Sequence, residues 1–491
     1  MRSKKHQPTG YMHPDHPKPI TRRQLMAQGF LGTSGAILAP SILSVFSQRA
    51  LGADAGTALV CTSTSTGGRM VPVLIFDLAG GGNIAGSNVI VGGKGGQSDI
   101  LPAGSYSTIG LTGAKEPAAA GVTVNKEYGL AFHPDSPMLA GMNSVTTAAT
   151  RANVEGVLFC AQSNDDTGNN PHNPLYWLAK GGLTGSLVSL VGSNASASGG
   201  NSAAPASSID PSKQPSRITR PSDGSGLVNP GKLATILGAG GAADSAGVKK
   251  VMDAIKMMSE AKLTQFNAQD VPTQVQDLIR CGYINSSEYL SKFTPAALDA
   301  TQDAMVKALY PQIGTDGGQN TAGTIAKLVL DGYAGAGVVS LGGYDYHGQS
   351  RAATGAKDRE AGVLIGRALE LAAQKKTPVM IYVYTDGGVS CAGGGDWAGD
   401  SGQRSATFAL VYNPTAKTPT RNNNRQIGAY TAAGAVDKTA AVIGDNVETL
   451  SIALVANWLA LHGREGELAK VAGSNPFGAN LEKYLAFMKL T

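Results

Sequence analysis

The sequence of 491 residues contains few cysteines, few histidines and no fixed repeat. The absence of a period, together with 42% hydrophobic residues, excludes a coiled coil, a collagen-like chain and a disordered charged tail. None of the four cysteines lies in a C-x-x-C pair, which disfavours a zinc site with closely spaced ligands. They are Cys61, Cys160, Cys281 and Cys391. Two disulfides in any of three pairings, or free thiols, remain open.

Net charge is nearly absent from the body of the chain. Residues 1–55 carry seven basic and two acidic side chains, which accounts for the whole formal charge of +5. The remaining residues are neutral, and their aromatic residues are scattered, so a nucleic-acid partner is not expected. The net positive charge of the sequence therefore comes from residues 1–55 alone.

No long uninterrupted apolar run follows the twin arginine Arg22-Arg23. The run from Phe30 to Phe46 is broken by glycine, serine and proline and is shorter than the ~20 apolar residues of a spanning helix. A small-x-small pattern follows at Ala53-Asp54-Ala55. These features predict a Tat signal peptide over residues 1–55, the Tat translocase as a transient partner, a periplasmic or extracellular location, and no stable membrane span after cleavage.

Short β-rich runs, each followed by turn residues, alternate with amphipathic segments in residues 56–491. The strand predictions are Val71–Leu78, Gly156–Cys160, Gly337–Leu341, Pro378–Thr385 and Thr407–Tyr412. The helix predictions are Lys250–Leu263, Thr321–Gly332, Lys357–Gln374, Val447–His462 and Leu481–Leu490. This alternation predicts one α/β domain with a mostly parallel central sheet and helices on both faces.

The segment Gly192–Gly226 is rich in Ser, Gly and Pro. Because strong strand signals lie on both sides of it, we interpret it as a long surface insertion rather than a linker between domains.

Carboxylates and imidazoles follow several of the predicted strands. Ligands of open α/β sheets bind beyond the carboxyl ends of strands, so these side chains form a candidate site. The set comprises Asp77, Asn83, Asp165, Asp166, His172, Asp345, His347, Asp386, Asp396 and Asp400. Oxygen-rich ligation with one or two imidazoles suits Mg, Ca, Mn or Zn. Aspartates in glycine-rich loops also cap helices and form turns, which is the alternative interpretation of each one alone.

Four stretches between Val71 and Tyr412 resemble a known family. The stretches VLIFDLAGGGN, GNNPHNPLYWLAKGG, LGGYDYHGQ and YVYTDGGVS…DWAGDSG are similar to motifs of a family of uncharacterised, often Tat-exported bacterial proteins in the alkaline phosphatase/sulfatase superfamily. The resemblance implies an alkaline phosphatase-like sandwich with long loop insertions and a divalent metal site. It also implies hydrolysis of phosphate or sulfate esters.

The metal ligands that the resemblance implies are Asp77, Asn83, His172, Asp345, His347, Asp386 and Asp400. Asp345 and His347 match G-x-D-x-H, whereas Asn83 stands where the family has aspartate. Val389 stands in place of an arginine and Ser401 in place of a histidine. These losses keep a second hypothesis open, namely a secreted or cell-surface binding or assembly protein that keeps the fold without a complete metal site.

Other catalytic motifs are absent or incomplete. Gly80–Ala85 satisfies G-x-G-x-x-A, but the residues after it do not have the pattern of a helix, so no nucleotide cofactor is expected. No G-x-S-x-G elbow is present. Cys391 lacks the sulfatase context that is needed for formylglycine. Ser87 and Ser163 lie in plausible loops, but the sequence does not identify a nucleophile.

Overall fold

A computed structural model describes residues 70–163, 168–227, 257, 295–392, 395–421 and 425–490. All of these except Met257 belong to one compact unit formed by Thr64–Lys250 and Tyr289–Thr491. Met257 is the one described residue of a second unit, formed by Met1–Ser63 and Val251–Glu288. The predicted signal peptide and the rest of the helix predicted at Lys250–Leu263 lie outside the described residues.

The centre of the large unit is an eight-stranded sheet with strand order β10-β2-β9-β6-β1-β5-β3-β4. All neighbouring strands in it pair in parallel except β9, which is antiparallel to β2 and β6. A separate antiparallel hairpin consists of β7 and β8. The strands are β1 (Val73–Leu78), β2 (Val154–Phe159), β3 (Val188–Gly192), β4 (Ser216–Arg217), β5 (Ala334–Leu341), β6 (Val379–Thr385), β7 (Val389–Cys391), β8 (Trp397–Asp400), β9 (Thr407–Tyr412) and β10 (Gln426–Ile427).

Helices pack on both faces of this sheet. Alternate residues of β1 point to opposite sides, with Leu74 and Phe76 in one hydrophobic core and Val73 and Ile75 in the other. The described α-helices are α1 (Pro137–Asn143), α2 (Ala148–Ala152), α3 (Leu175–Lys180), α4 (Pro221–Gly226), α5 (Pro295–Leu298), α6 (Ala304–Leu309), α7 (Gly317–Leu330), α8 (Arg351–Gln374), α9 (Val447–Ala460) and α10 (Leu468–Ala472). Helices α1, α7 and α8 contribute to the first core, and α3, α9 and α10 to the second.

The α/β class and the mostly parallel sheet are confirmed. The five predicted strands correspond to β1, β2, β5, β6 and β9, and three predicted helices correspond to α7, α8 and α9. Strand β9 runs antiparallel because the β7–β8 hairpin leads into it without a helical crossover, which a parallel return would require.

The helix predicted at Leu481–Leu490 is wrong. A 3-10 helix covers Gly478–Tyr484, and Phe487 then forms an antiparallel bridge with Thr420. The amide of Ala486 donates to the Asn457 side chain over 2.7 Å, and the amide of Met488 donates to the Pro419 carbonyl over 2.9 Å. These tertiary hydrogen bonds replace those of a helix, although the local pattern of apolar residues is helical.

The segment Gly192–Gly226 also differs from its interpretation as a surface insertion. Ser198 and Ser202 are only 3% and 0% exposed. The amide and hydroxyl of Ser202 contact carboxylates at the end of the sheet, as described below. Part of this segment therefore lies inside the molecule.

Cys160 and Cys391 are free, buried thiols, and burial raises the pKa of Cys160 above its ordinary value. Cys61 and Cys281 lie outside the described residues. Within the described ranges no helix combines the length and the hydropathy that crossing a membrane requires.

Candidate functional site

The candidate site lies at the carboxyl ends of the central strands. Strand β1 is flanked by β5 and β6, and all three run in the same direction, so the loops that follow them meet at one edge of the sheet. This edge is where open α/β sheets bind ligands. The structure divides the predicted site residues here into a buried pair and an exposed cluster.

Asp77 and Asp386 form the buried pair, and both are 0% exposed. The backbone amides of Asn201 and Ser202 donate to Asp77 Oδ2 over 2.5 and 3.0 Å. The Ser202 hydroxyl lies 3.5 Å from Asp77 Oδ1 and also donates to Asp386 Oδ1. The Asn201 side-chain amide donates to Asp386 Oδ2. One loop after β3 therefore supplies donors to both carboxylates.

The environment of this pair disfavours two full negative charges. Burial, followed by the neighbouring Asp386, raises the pKa of Asp77 to about 7. The hydrogen bonds from Ser202 and Asn201 act in the opposite direction and are outweighed. Near neutral pH the pair therefore accommodates either a proton or a cation.

His172 lies beside the buried pair. Its ring stacks on Tyr384 with centroids 5.2 Å apart, and its Nε2 is 3.5 Å from the Ser163 hydroxyl. That hydroxyl donates to the backbone carbonyl of Asp386. Burial lowers the pKa of His172 to about 4, so the imidazole is neutral at physiological pH. A neutral imidazole is the form that binds metals.

Asp345, His347 and Asp400 form the exposed cluster. His347 Nδ1 lies 2.5 Å from Asp345 Oδ1 and 3.3 Å from Asp400 Oδ1. Each of the three side chains offers one potential metal-ligand atom, and these atoms lie within 4.8 Å of one another. Among the described residues, no other group of three or more His, Cys, Asp or Glu side chains does so. The three side chains are about half exposed, at 50%, 54% and 44% in that order.

A glycine joins the two groups. The Asp386 amide donates to the Gly80 carbonyl over 3.1 Å. Gly80 has φ +117°, and a Cβ there would lie 2.4 Å from the Asp345 backbone nitrogen. No side chain fits so close to another backbone, so the glycine lets the β1 loop contact the loops after β5 and β6 at once.

The surrounding structure fixes the loop that carries Asp345 and His347. The Tyr346 hydroxyl donates to the buried Asp358 carboxylate on α8 over 2.8 Å, and the Tyr346 amide donates to the Gly81 carbonyl over 3.3 Å. Asp400 comes from the other side, at the end of β8 in the β7–β8 hairpin. Three separate parts of the chain therefore position the exposed cluster.

The remaining predicted residues belong neither to the buried carboxylate pair nor to the exposed cluster. Asn83 is 1% exposed, and its side-chain atoms have no hydrogen-bond partner within the described ranges. Asp396 accepts from the Arg351 amide over 3.0 Å, as a turn or cap residue does. Asp165 and Asp166 lie outside the described residues. Ser87 donates to the Ile109 carbonyl over 3.4 Å, and Ser163 is 0% exposed.

Asn201 and Ser202, which provide the donors for the buried pair, were not among the residues predicted from the sequence. Their Ser- and Gly-rich surroundings have the composition of a surface loop, and no local pattern marks them. Strand β3, which brings them to the site, runs beside β5, and its Val188–Gly192 segment was not predicted as a strand. Only the order of strands in the sheet reveals their position.

The donor atoms of the exposed cluster fit a divalent cation. Two carboxylates and one imidazole are a ligand set that Mn²⁺ or Zn²⁺ accepts, and half-exposed side chains leave room for water or substrate. The residues after β1 form turns and an Ala85–Val89 bridge instead of a helix, so Gly80–Ala85 lacks the helix terminus of a dinucleotide site.

Comparisons of the chain with protein-family models, with curated proteins and with solved structures found no match.

Proposed function

We propose that this protein is a metal-dependent hydrolase of phosphate or sulfate esters. The observation that supports this proposal most directly is the meeting of Asp345, His347 and Asp400 at the carboxyl edge of a mostly parallel sheet. Three ligands suited to a divalent cation, two from the loop after β5 and one from the end of β8, come together at the place where such folds bind substrates.

In this proposal Asp345, His347 and Asp400 hold a divalent cation such as Zn, Mn, Mg or Ca. When bound, the cation polarises the ester and offsets the charge that develops on its oxygens. The two carboxylates compensate the positive charge, and the imidazole Nδ1, which faces both of them, provides the nitrogen ligand. Tyr346 keeps the loop in place through its bond to Asp358.

The buried pair has a different role in this proposal. Asp77 gains or loses its proton near neutral pH, because burial and Asp386 raise its pKa to about 7. The Ser202 hydroxyl donates to the Asp386 carboxylate and orients it. This arrangement supports the loops after β1 and β6, and it is the part of the site where a second ion would bind, as the family resemblance implies for Asp77, His172 and Asp386.

We extend the proposal to the rest of the chain. The mostly parallel sheet with helices on both faces supports an alkaline phosphatase-like sandwich. Arg22-Arg23 and the interrupted apolar run support export by the Tat translocase to the periplasm or beyond. Export of a folded chain is compatible with a metal that is acquired before translocation.

One observation favours the second candidate function, a non-catalytic binding or assembly protein at the cell surface. Asn201 and Ser202 donate to both buried carboxylates. Protein hydrogen bonds thus occupy acceptor positions that an ion would use, at one of the two places where the resemblance implies metal.

Activity on aryl phosphate and aryl sulfate esters tests the proposal. The full chain loaded with Zn²⁺ or Mn²⁺ is compared with Asp400→Asn, which removes one cluster carboxylate. We expect kcat/KM to fall by at least about 10- to 100-fold, the loss that is typical even for residues that only orient a metal ligand. Asp135→Asn is the matched control, because Asp135 is 64% exposed and pairs with Lys115 at 3.7 Å.

Equal turnover by the wild type, Asp400→Asn and Asp135→Asn would contradict the assignment of this cluster. No turnover of either ester by the metal-loaded wild type would favour the binding function.

A further inference from the structure

A second charged pocket lies at the opposite edge of the sheet. Its volume is about 290 Å³, and Lys126, Lys417 and Arg425 are among its lining residues. Lys417 follows β9, whose last residue pairs with the first residue of β2, and Arg425 directly precedes β10. The backbone of Arg425 lies beside the carboxyl half of β2, but its side chain and that of Lys417 both reach Glu155, the second residue of β2. The two charged groups therefore lie near the amino end of β2, away from the candidate metal site.

One buried carboxylate compensates only part of this positive charge. Glu155 on β2 has a side chain that is only 2% exposed; it pairs with Arg425 and lies 3.7 Å from Lys417 Nζ. The Gly156 amide also donates to Glu155 over 3.0 Å. Among the described residues, Lys126 forms no ion pair. Three cations against one carboxylate leave a local excess of positive charge in a body that is otherwise neutral.

Partial burial makes this excess unfavourable. Burial lowers the pKa of both Lys417 and Arg425 below their ordinary values, in spite of Glu155. A bound anion would compensate for this loss of hydration, because its negative charge stabilises the cations in place of the water that solvates an exposed lysine. Because the cations come from three separate segments, they match a ligand with several charged oxygens better than a single carboxylate.

We infer that the pocket of Lys126, Lys417 and Arg425 binds a tetrahedral oxyanion, specifically the phosphate group of a small molecule. Gln97 and Ser98 line the same pocket and provide a neutral polar wall. The inference is independent of the proposed ester hydrolysis, because it uses none of the residues of the candidate metal site.

Calorimetric titration of the full chain with inorganic phosphate, in the presence of EDTA, tests the inference. EDTA removes phosphate binding that depends on a divalent cation, so a failure of the proposed hydrolase function does not affect the result. We expect Lys417→Met to weaken phosphate binding about tenfold and Lys126→Met to weaken it severalfold. Acetate should bind at least tenfold more weakly than phosphate.

Lys180→Met is the matched control, since Lys180 is an exposed residue at the end of α3 and is expected to leave binding unchanged. Lys126 is also exposed, so its replacement leaves the fold intact even if Lys417→Met unfolds the chain. Arg425 is retained, because removing it would leave Glu155 buried without its main partner. Absence of phosphate binding by the wild type, or wild-type affinity in both pocket variants, would overturn the inference.

Discussion

Asp358 is a buried acid that supports the candidate site without belonging to it. It is 4% exposed, and it accepts hydrogen bonds from Tyr346 over 2.8 Å and from Asn88 over 3.0 Å. Burial raises the pKa of Asp358 from 3.8 to about 7, although both hydrogen bonds oppose the shift. Its protonation is therefore coupled to folding near neutral pH.

The direction of this coupling is fixed by the raised pKa. Between about pH 4 and pH 7 the folded chain keeps a proton that the unfolded chain releases. The stabilising contribution of Asp358 is complete below pH 4 and is lost as the pH rises to about 7. The loss amounts to at most ~4 kcal/mol, from ~1.4 kcal/mol per pKa unit.

Replacing Asp358 by asparagine should remove that part of the pH dependence. The amide keeps the size of the acid but does not titrate. We expect the free energy of unfolding of Asp358→Asn, measured by urea denaturation, to fall less between pH 4.5 and pH 7.5 than that of the wild type. Asp77, whose pKa is also raised, contributes equally to both proteins. If the free energy of unfolding fell between pH 4.5 and pH 7.5 by the same amount in Asp358→Asn and in the wild type, the raised pKa of Asp358 would be contradicted.

At the scale of elements, α8 and α1 contact each other through glycines. A Cβ on Gly362 of α8 would lie 2.0 Å from the Met138 carbonyl oxygen, and a Cβ on Gly141 of α1 would lie 2.3 Å from the Arg359 carbonyl oxygen. Neither backbone carbonyl has room to move inside the core. The close packing of these helices positions α8, which carries Asp358.

Two alanine substitutions in α8 should therefore have opposite effects. Alanine favours a helix over glycine by about 1 kcal/mol, and Gly355 has room for it, since its nearest contact would be the Pro137 side chain at 3.5 Å. We expect Gly355→Ala to raise the free energy of unfolding by about 0.5–1 kcal/mol. Gly362→Ala should lower it by about 2–3 kcal/mol, because the helices must separate. Urea denaturation of both variants checks this, and stabilisation by Gly362→Ala would show that the helices do not pack so closely.

The sequence was informative where local pattern and burial agree. The apolar runs of β1 and β6 were predictable because strands buried on both faces need continuous apolar residues. The helices α7, α8 and α9 were predictable because their apolar residues recur at helical spacing. The conformation of residues 481–490 was not predictable, because their backbone amides form hydrogen bonds with Asn457 and Pro419, which are distant in sequence.

The candidate site was predictable only in part. Asp345 and His347 are two residues apart, and their proximity follows from one short motif. The meeting of Asp400 with them depends on the β7–β8 hairpin, and the separation of Asp77 and Asp386 from them depends on how three loops share the space around Gly80. The roles of Asn201 and Ser202 depend on strand order, which the composition of their segment conceals.

At the scale of the whole molecule, the net positive charge of the sequence comes from its first 55 residues. Residues 1–55 carry the whole formal charge of +5, and the charges of residues 56–491 sum to zero. We expect Arg22-Arg23→Lys-Lys to retain the precursor in the cytoplasm, since lysine keeps the charge but lacks the planar guanidinium. Cell fractionation with an antibody against the chain measures the effect, with Arg49→Lys as the control. Unimpaired export of the double variant would contradict a Tat address.

The central claim is that Asp345, His347 and Asp400 bind a divalent cation. The most direct measurement is the metal content of the full chain, dialysed against Zn²⁺ or Mn²⁺ and then against metal-free buffer, by inductively coupled plasma mass spectrometry. We predict about one equivalent in the wild type and in Asp135→Asn, and a loss of most of it in Asp400→Asn. Substoichiometric metal in the wild type, or full retention in Asp400→Asn, would contradict the claim.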